Sequence, residues 1–273
     1  MRCAPSSWRV LATSSPSSSD VAPTDVAADP ADIRRFVVPR GRVAADAAAR
    51  AARRFGAVRP DHAEAVLLDG PLDRCGLAAL LAVLPADGWP LLVELDEDGA
   101  AHGDWPATPM PGPGFLLSLT TATAFAVQSP VAVCDALERR GILPERRRSA
   151  VELCLHEAVA NALVHGNVGV PADTRDQPDG FRLFGERVTA ALRDPAVRRR
   201  RVDILARWGE GTLDLAVVDE GGGFDPAALE RPANGFARSG RGFVFMRALA
   251  NAVAVRDGGR CTLLHFDLHG PPP

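Results

Sequence analysis

Apolar positions along this chain change their period several times, and each change marks an element. From Phe36 to Leu95, short apolar runs (Phe36 to Val38, Ala65 to Leu68, Leu91 to Leu95) alternate with Ala-rich helical stretches over roughly 43–54 and 77–84. Strands alternating with helices predict a small parallel α/β layer over residues 33–96. Beyond Phe115 the spacing differs. An apolar strand, Phe115 to Leu119, precedes a helix over about 129–140. In the next helix, about 149–164, Val151, Leu155, Val159 and Leu163 recur every four residues as a buried stripe. A helical insertion over about 181–200 leads to alternating strands at Val202 to Ala206 and Thr212 to Val218, which the turn at Gly209 to Gly211 pairs antiparallel. A helix over about 242–252 and two closing strands, Ala252 to Arg256 and Cys261 to Leu268, complete the pattern. Helices set against a mixed or antiparallel sheet give residues 115–268 an α+β sandwich.

Two stretches carry no period. Residues 1–32 are rich in Ser, Pro and Ala, with too little apolar surface to offset the entropy of ordering, and read as a disordered tail. Residues 97–114 collect Gly, Pro and Asp and read as a linker between the two layers.

Composition narrows the chemistry. With 273 residues, 47% hydrophobic, 24% charged and a net charge of −3, the chain can bury a core and has no electrostatic footprint for nucleic acid. All 31 basic residues are arginine. The missing lysine excludes a Walker A loop, a protein-kinase strand lysine and Schiff-base catalysis, so if this chain handles ATP it does so another way. Five cysteines without CxxC spacing read as small buried hydrophobes in a reducing compartment. No apolar run approaches a membrane span and the first 20 residues contain no apolar signal core, so the expected location is cytoplasmic, with no membrane contact.

Three segments bear functional groups. In Glu-Leu-Cys-Leu-His-Glu-Ala-Val-Ala-Asn-Ala-Leu-Val-His-Gly-Asn, residues 152–167, Glu157 and Asn161 stand one helical turn apart on one face. A carboxylate and a carboxamide in that relation can supply a proton acceptor and an oxygen ligand for Mg²⁺. A zinc peptidase is rejected because Ala160 stands where the second His of its motif is needed. The second segment runs from a strand into Asp219-Glu220-Gly221-Gly222-Gly223, where glycine permits close backbone approach to a ligand and Asp219 can accept from an exocyclic amine. The third, Ser239-Gly240-Arg241-Gly242-Phe243, opens an apolar helix whose N-terminal amides can hold phosphate oxygens.

Taken together, these segments resemble the Bergerat-fold ATPase domain shared by histidine kinases, gyrase-type ATPases and Hsp90, over about residues 115–268. Within that superfamily the domain looks most like the anti-sigma-factor serine/threonine kinases. EAVANALVHGN matches the N box, DEGGGFDP the first glycine box and GRGFVFMRALANAV the second. The resemblance implies that Asn161 coordinates Mg²⁺, Glu157 acts as general base and Asp219 binds the adenine amino group. It also implies that Gly221 and Gly223 shape the base pocket, that Gly240 and Gly242 let a lid wrap the phosphates, and that Arg238 and Arg241 give cationic help.

The implied activity is transfer of the ATP γ-phosphate to a serine of a partner in bacterial signalling. An anti-sigma-factor antagonist or a sigma factor is the partner class, and a homodimer is left open. The alternative is a non-catalytic ATP-dependent switch that sequesters such a partner. Two features depart from the pattern. The insertion over 168–201 is long, its Arg198 to Arg201 run reading as a solvated helix end in preference to a partner surface, and Asn251 replaces the usual acidic residue after the second glycine box. In the N-terminal layer, Asp69 ends an apolar strand in a way similar to the phosphoacceptor of a receiver domain. The acidic pair and the lysine of a working receiver are missing, which leaves a degenerate, unphosphorylated receiver-like domain or an unrelated small α/β layer.

Overall fold

The structure is a computed structural model, and it describes residues 65–69, 72, 74–82, 84, 90–95, 112–224 and 241–270. The tail, the expected strand Phe36 to Val38 and the helix over 43–54 lie outside the described residues. The described strands are β1 (Ala65–Asp69), β2 (Leu91–Leu95), β3 (Gly114–Thr120), β4 (Arg201–Gly209), β5 (Thr212–Asp219), β6 (Ala252–Arg256) and β7 (Cys261–Asp267). They form one seven-stranded sheet in the order β1-β2-β3-β4-β5-β7-β6. β1, β2 and β3 run parallel, and every later neighbour pair is antiparallel.

This topology corrects the expectation of two separate layers. The β1–helix–β2 unit adds its strands directly to the edge of the β3–β7 sheet, so residues 97–114 connect two neighbouring parallel strands. Parallel neighbours need a long crossover, and Gly/Pro composition reports local backbone freedom without saying whether the flanking strands pair. Asp69 ends the outermost strand, in register with Leu95.

The helices are α1 (Arg74–Ala82), α2 (Thr121–Ala126), α3 (Ser129–Arg139), α4 (Glu145–Ala160), α5 (Gly180–Ala191), α6 (Pro195–Arg199) and α7 (Arg241–Leu249). One hydrophobic core joins α1, α3, α4 and α7 to one face of the sheet. Leu77, Leu81 and Leu92 of the N-terminal unit share it with Leu117, Val133, Leu137 and Leu215. The predicted stripe Val151, Leu155, Val159 and Leu163 is buried in full, the result of apolar residues recurring at close to the helical period. No helix among the described residues is long and apolar enough to cross a membrane.

Where the core ends, paired polar groups lock the sheet together. The buried Glu94 carboxylate of β2 accepts the Thr120 N–H at 2.6 Å and the hydroxyls of Thr120 and Thr123, anchoring the start of α2. Burial pushes the Glu94 carboxyl above the usual carboxylate range, although hydrogen bonds from Thr123 and Thr120 and the Arg201 charge oppose the shift. Arg201, 1% exposed at the start of β4, donates to the Ser118 hydroxyl at 3.0 Å, the Ser118 carbonyl at 2.7 Å and the Glu94 carbonyl at 2.8 Å. Arg200 donates to the Asn167 carbonyl. The arginine run therefore ends inside the protein, contrary to its reading as a solvated helix end. Charge count could not show that the last arginine enters a strand.

Cys134 and Cys154 are buried and free, and burial pushes both thiols up to about 12, so neither is a reactive nucleophile. Cys261 is buried as well.

Candidate active site

Local sequence explains how the site is built. α4 starts after Pro144, four residues before the predicted boundary, and runs to Ala160. The chain then widens into a π-type turn, Asn161–Asn167, that contains the His-Gly-Asn of the sequence motif. Such a wide turn displaces the following residues from the α-helical register, and in proteins it commonly sits at functional sites.

Glu157 lies in the last turn of α4 and Asn161 is the first residue of the wide turn. Both are half-buried. Among the described residues neither side chain has a protein hydrogen-bond partner, and the Asn161 Nδ2 is fully buried in that state. Buried polar groups are normally hydrogen-bonded, so an uncommitted carboxamide beside an uncommitted carboxylate is the mark of a ligand site. An uncommitted amide oxygen with a neighbouring carboxylate fits the oxygen preference of Mg²⁺.

The first turn of α7 closes over Glu157. A Cβ at Gly242 would stand 2.5 Å from the Glu157 Oε2, so only glycine lets the helix come this near without displacing the carboxylate. Arg241, exposed, precedes it at the helix start. Phe243 is buried and meets the Phe224 ring edge-on at 5.9 Å, joining α7 to the loop after β5. Gly240 and Arg238 lie outside the described residues.

At the other end of the wide turn, Asp219 stops β5 with its carboxylate buried. Its Oδ1 accepts the Gly221 N–H at 2.8 Å. A Cβ at Gly166 would fall 2.4 Å from the Asp219 Cγ, and one at Gly221 would fall 2.1 Å from the Gly166 carbonyl oxygen. Gly223 has φ +72°, and its N–H neighbour Phe224 donates to the Gly258 carbonyl at 2.8 Å. The glycine segment is thus clamped between the wide turn and the β6–β7 turn. The structure brings Glu157 and Gly242 together at the end of the wide turn that Asn161 opens, and Gly166, Asp219 and Gly221 at the other.

Two further residues belong to this region and escaped the sequence reading. Thr262 pairs with Val217 on β7 and shares the helix-covered face of the sheet with Asp219, two residues further along β5. It is buried, and its hydroxyl has no hydrogen bond among the described residues. Its signal in the sequence is a polar residue at an inward position of an otherwise apolar strand. Glu220 acts as a brace: its carboxylate accepts the Arg201 N–H at 2.8 Å while its own N–H goes to the Asn167 Oδ1 at 2.8 Å. Asn251 is also structural. Its Oδ1 accepts from the Asp267 N–H at 2.8 Å and from the buried Arg147 at 3.1 Å, tying the end of α7 to the start of α4.

Residues 120–266 match the histidine kinase-like ATPase domain, a span of more than half the chain. The chain belongs to this family. No curated protein matches it. For a histidine kinase-like ATPase domain, ATP is the bound nucleotide, and the matched span begins at Thr120 and ends within β7, so it contains every strand and glycine segment just described from α2 onward. It leaves out β1, α1, β2 and nearly all of β3, the edge that extends the sheet.

Proposed function

We propose that this protein is an ATP-dependent serine/threonine protein kinase of the anti-sigma-factor type, transferring the γ-phosphate to a partner regulatory protein in bacterial signalling. The observation that carries this reading is the uncommitted Glu157 carboxylate beneath the first turn of α7, one helical turn from an uncommitted Asn161. A pure nucleotide binder has no need of a base at that position.

In this reading Glu157 accepts the proton of the partner's serine hydroxyl as that oxygen attacks, and Asp219 accepts a hydrogen bond from the adenine amino group. The first turn of α7, with Arg241 and the backbone N–H groups from Gly242 onward, faces the phosphates. A carboxylate base of this kind contributes about 10²- to 10⁴-fold to rate, and the remainder comes from alignment and charge neutralisation. Asn161 would hold Mg²⁺, which supplies charge neutralisation at the phosphate oxygens. The partner is an anti-sigma-factor antagonist or a sigma factor, and the location cytoplasmic.

The test is transfer from γ-labelled ATP to proteins co-purified with the native chain, comparing wild type with Glu157→Ala. Labelling by the wild type that falls at least about a hundredfold in the variant, with ATP still bound, is the expected result. Equal labelling refutes the base. Absence of labelling in both, with ATP bound, refutes the kinase and favours an ATP-dependent binding switch.

A further inference from the structure

The wide turn is bracketed by two asparagines in opposite situations. Asn161 has an uncommitted amide, whereas Asn167 is fully buried and uses its whole amide. The Asn167 Nδ2 donates to the Thr121 hydroxyl at 2.8 Å and to the Arg201 carbonyl at 2.9 Å, and its Oδ1 accepts the Glu220 N–H at 2.8 Å. These partners are the first residue of α2, the first residue of β4 and the residue that follows β5. A single side chain therefore joins three elements at the point where the wide turn ends.

The geometry has a direct bearing on Asp219. Glu220 is its chain neighbour, and Gly166, whose Cα lies against the Asp219 carboxylate, is the neighbour of Asn167. The bond from the Glu220 N–H to the Asn167 Oδ1 thus fixes the separation between the wide turn and the end of β5 on which the direction of that carboxylate depends. Removing it unties the end of the wide turn from the residue that follows β5.

We propose that Asn167 is a positioning residue for base recognition: it holds the Asp219 carboxylate against Gly166 in the direction that selects adenine. The proposal rests on the reading of this site as an ATP site with Asp219 at the base. A merely structural asparagine would lower stability and weaken all nucleotides alike. A positioning residue lowers the preference for ATP over GTP, because a displaced carboxylate no longer rewards the adenine amino group or repels the guanine carbonyl.

The experiment is calorimetric titration of the full chain with ATP and with GTP, alongside urea unfolding, for wild type, Asn167→Ala, Thr121→Val, Asp219→Asn and the Asn167→Ala/Asp219→Asn pair. Thr121→Val removes one of the three partners and keeps the asparagine, so it reports even where Asn167→Ala does not fold. The expected result is a loss of about tenfold or more in the ATP over GTP ratio for Asn167→Ala, the size of one charge-assisted hydrogen bond. A smaller loss in the same direction is expected for Thr121→Val, with no further loss when Asn167→Ala is added to Asp219→Asn. A wild type that prefers ATP and loses that preference in Asp219→Asn, with Asn167→Ala and Thr121→Val keeping the parent ratio, overturns the inference alone. A wild type that binds neither nucleotide overturns the ATP reading and the inference with it, as does one that binds both equally.

Discussion

The polar groups at the two ends of the wide turn obey opposite rules. At its entrance Glu157 and Asn161 are half-buried and have no side-chain hydrogen-bond partner among the described residues, and at its exit Asn167, Glu220, Arg201 and Glu94 form a chain of bonds that reaches β2. Burying a polar group without a partner costs free energy, so a protein keeps such groups only where something else meets them. The exit is framework and the entrance is the candidate site. The same physics assigns both roles, and the difference is whether the chain itself supplies the partner.

Breaking the framework should cost the most stability. Arg201→Met removes the donors to the Ser118 and Glu94 carbonyls while keeping most of the side-chain volume. Two buried carbonyls left without donors should lower unfolding free energy by about 3 to 5 kcal/mol, measured by urea denaturation. A loss below about 1 kcal/mol would show that water replaces the guanidinium and that the framework is less closed than its bonds indicate.

A substitution at the junction of the two ends should have an intermediate effect and act mainly on function. Gly166→Ala would place a methyl 2.4 Å from the Asp219 Cγ, against a carboxylate held by the Gly221 N–H. Overpacking of this kind costs about 1 to 3 kcal/mol of stability. ATP affinity should fall by about tenfold or more as the carboxylate is displaced, read by calorimetry. Retained ATP affinity would detach Asp219 from base recognition.

The smallest effect sharpens the comparison by pH. Because burial raises the Glu94 carboxyl, the folded state holds this proton more tightly than the unfolded chain. Stability contributed by this group is therefore lost as pH rises from the ordinary carboxylate value through the raised folded value. Glu94→Gln removes the titration, so the difference in unfolding free energy between variant and wild type should shift toward the variant as pH rises across that window. A pH-independent difference would mean that the Thr120 and Thr123 bonds fully offset the cost of burial.

The site was more legible in the sequence than its supports were. The Glu157/Asn161 spacing, the strand ending at Asp219 and the glycine pairs are local patterns, and the structure places Glu157 against Gly242 and Asp219 against Gly221. The hairpin of β4 and β5 was legible for the same reason, with Glu210 and Gly211 both at positive φ in its turn. Asn167 and Glu220 carried no comparable signal. Each acquires its role from neighbours on other elements, as when Asn167 meets Glu220 across 53 positions.

Local periodicity and backbone chemistry are properties of consecutive residues, and so the sequence by itself determined where helices and strands form, which faces are apolar, and that Glu157 and Asn161 share a face. The tertiary structure alone decided that β1 and β2 extend the same sheet, and that the last arginine of a run is buried 107 positions from its Glu94 partner. Those outcomes depend on which distant segments meet when the apolar faces are buried together, and no window of neighbouring residues encodes that meeting.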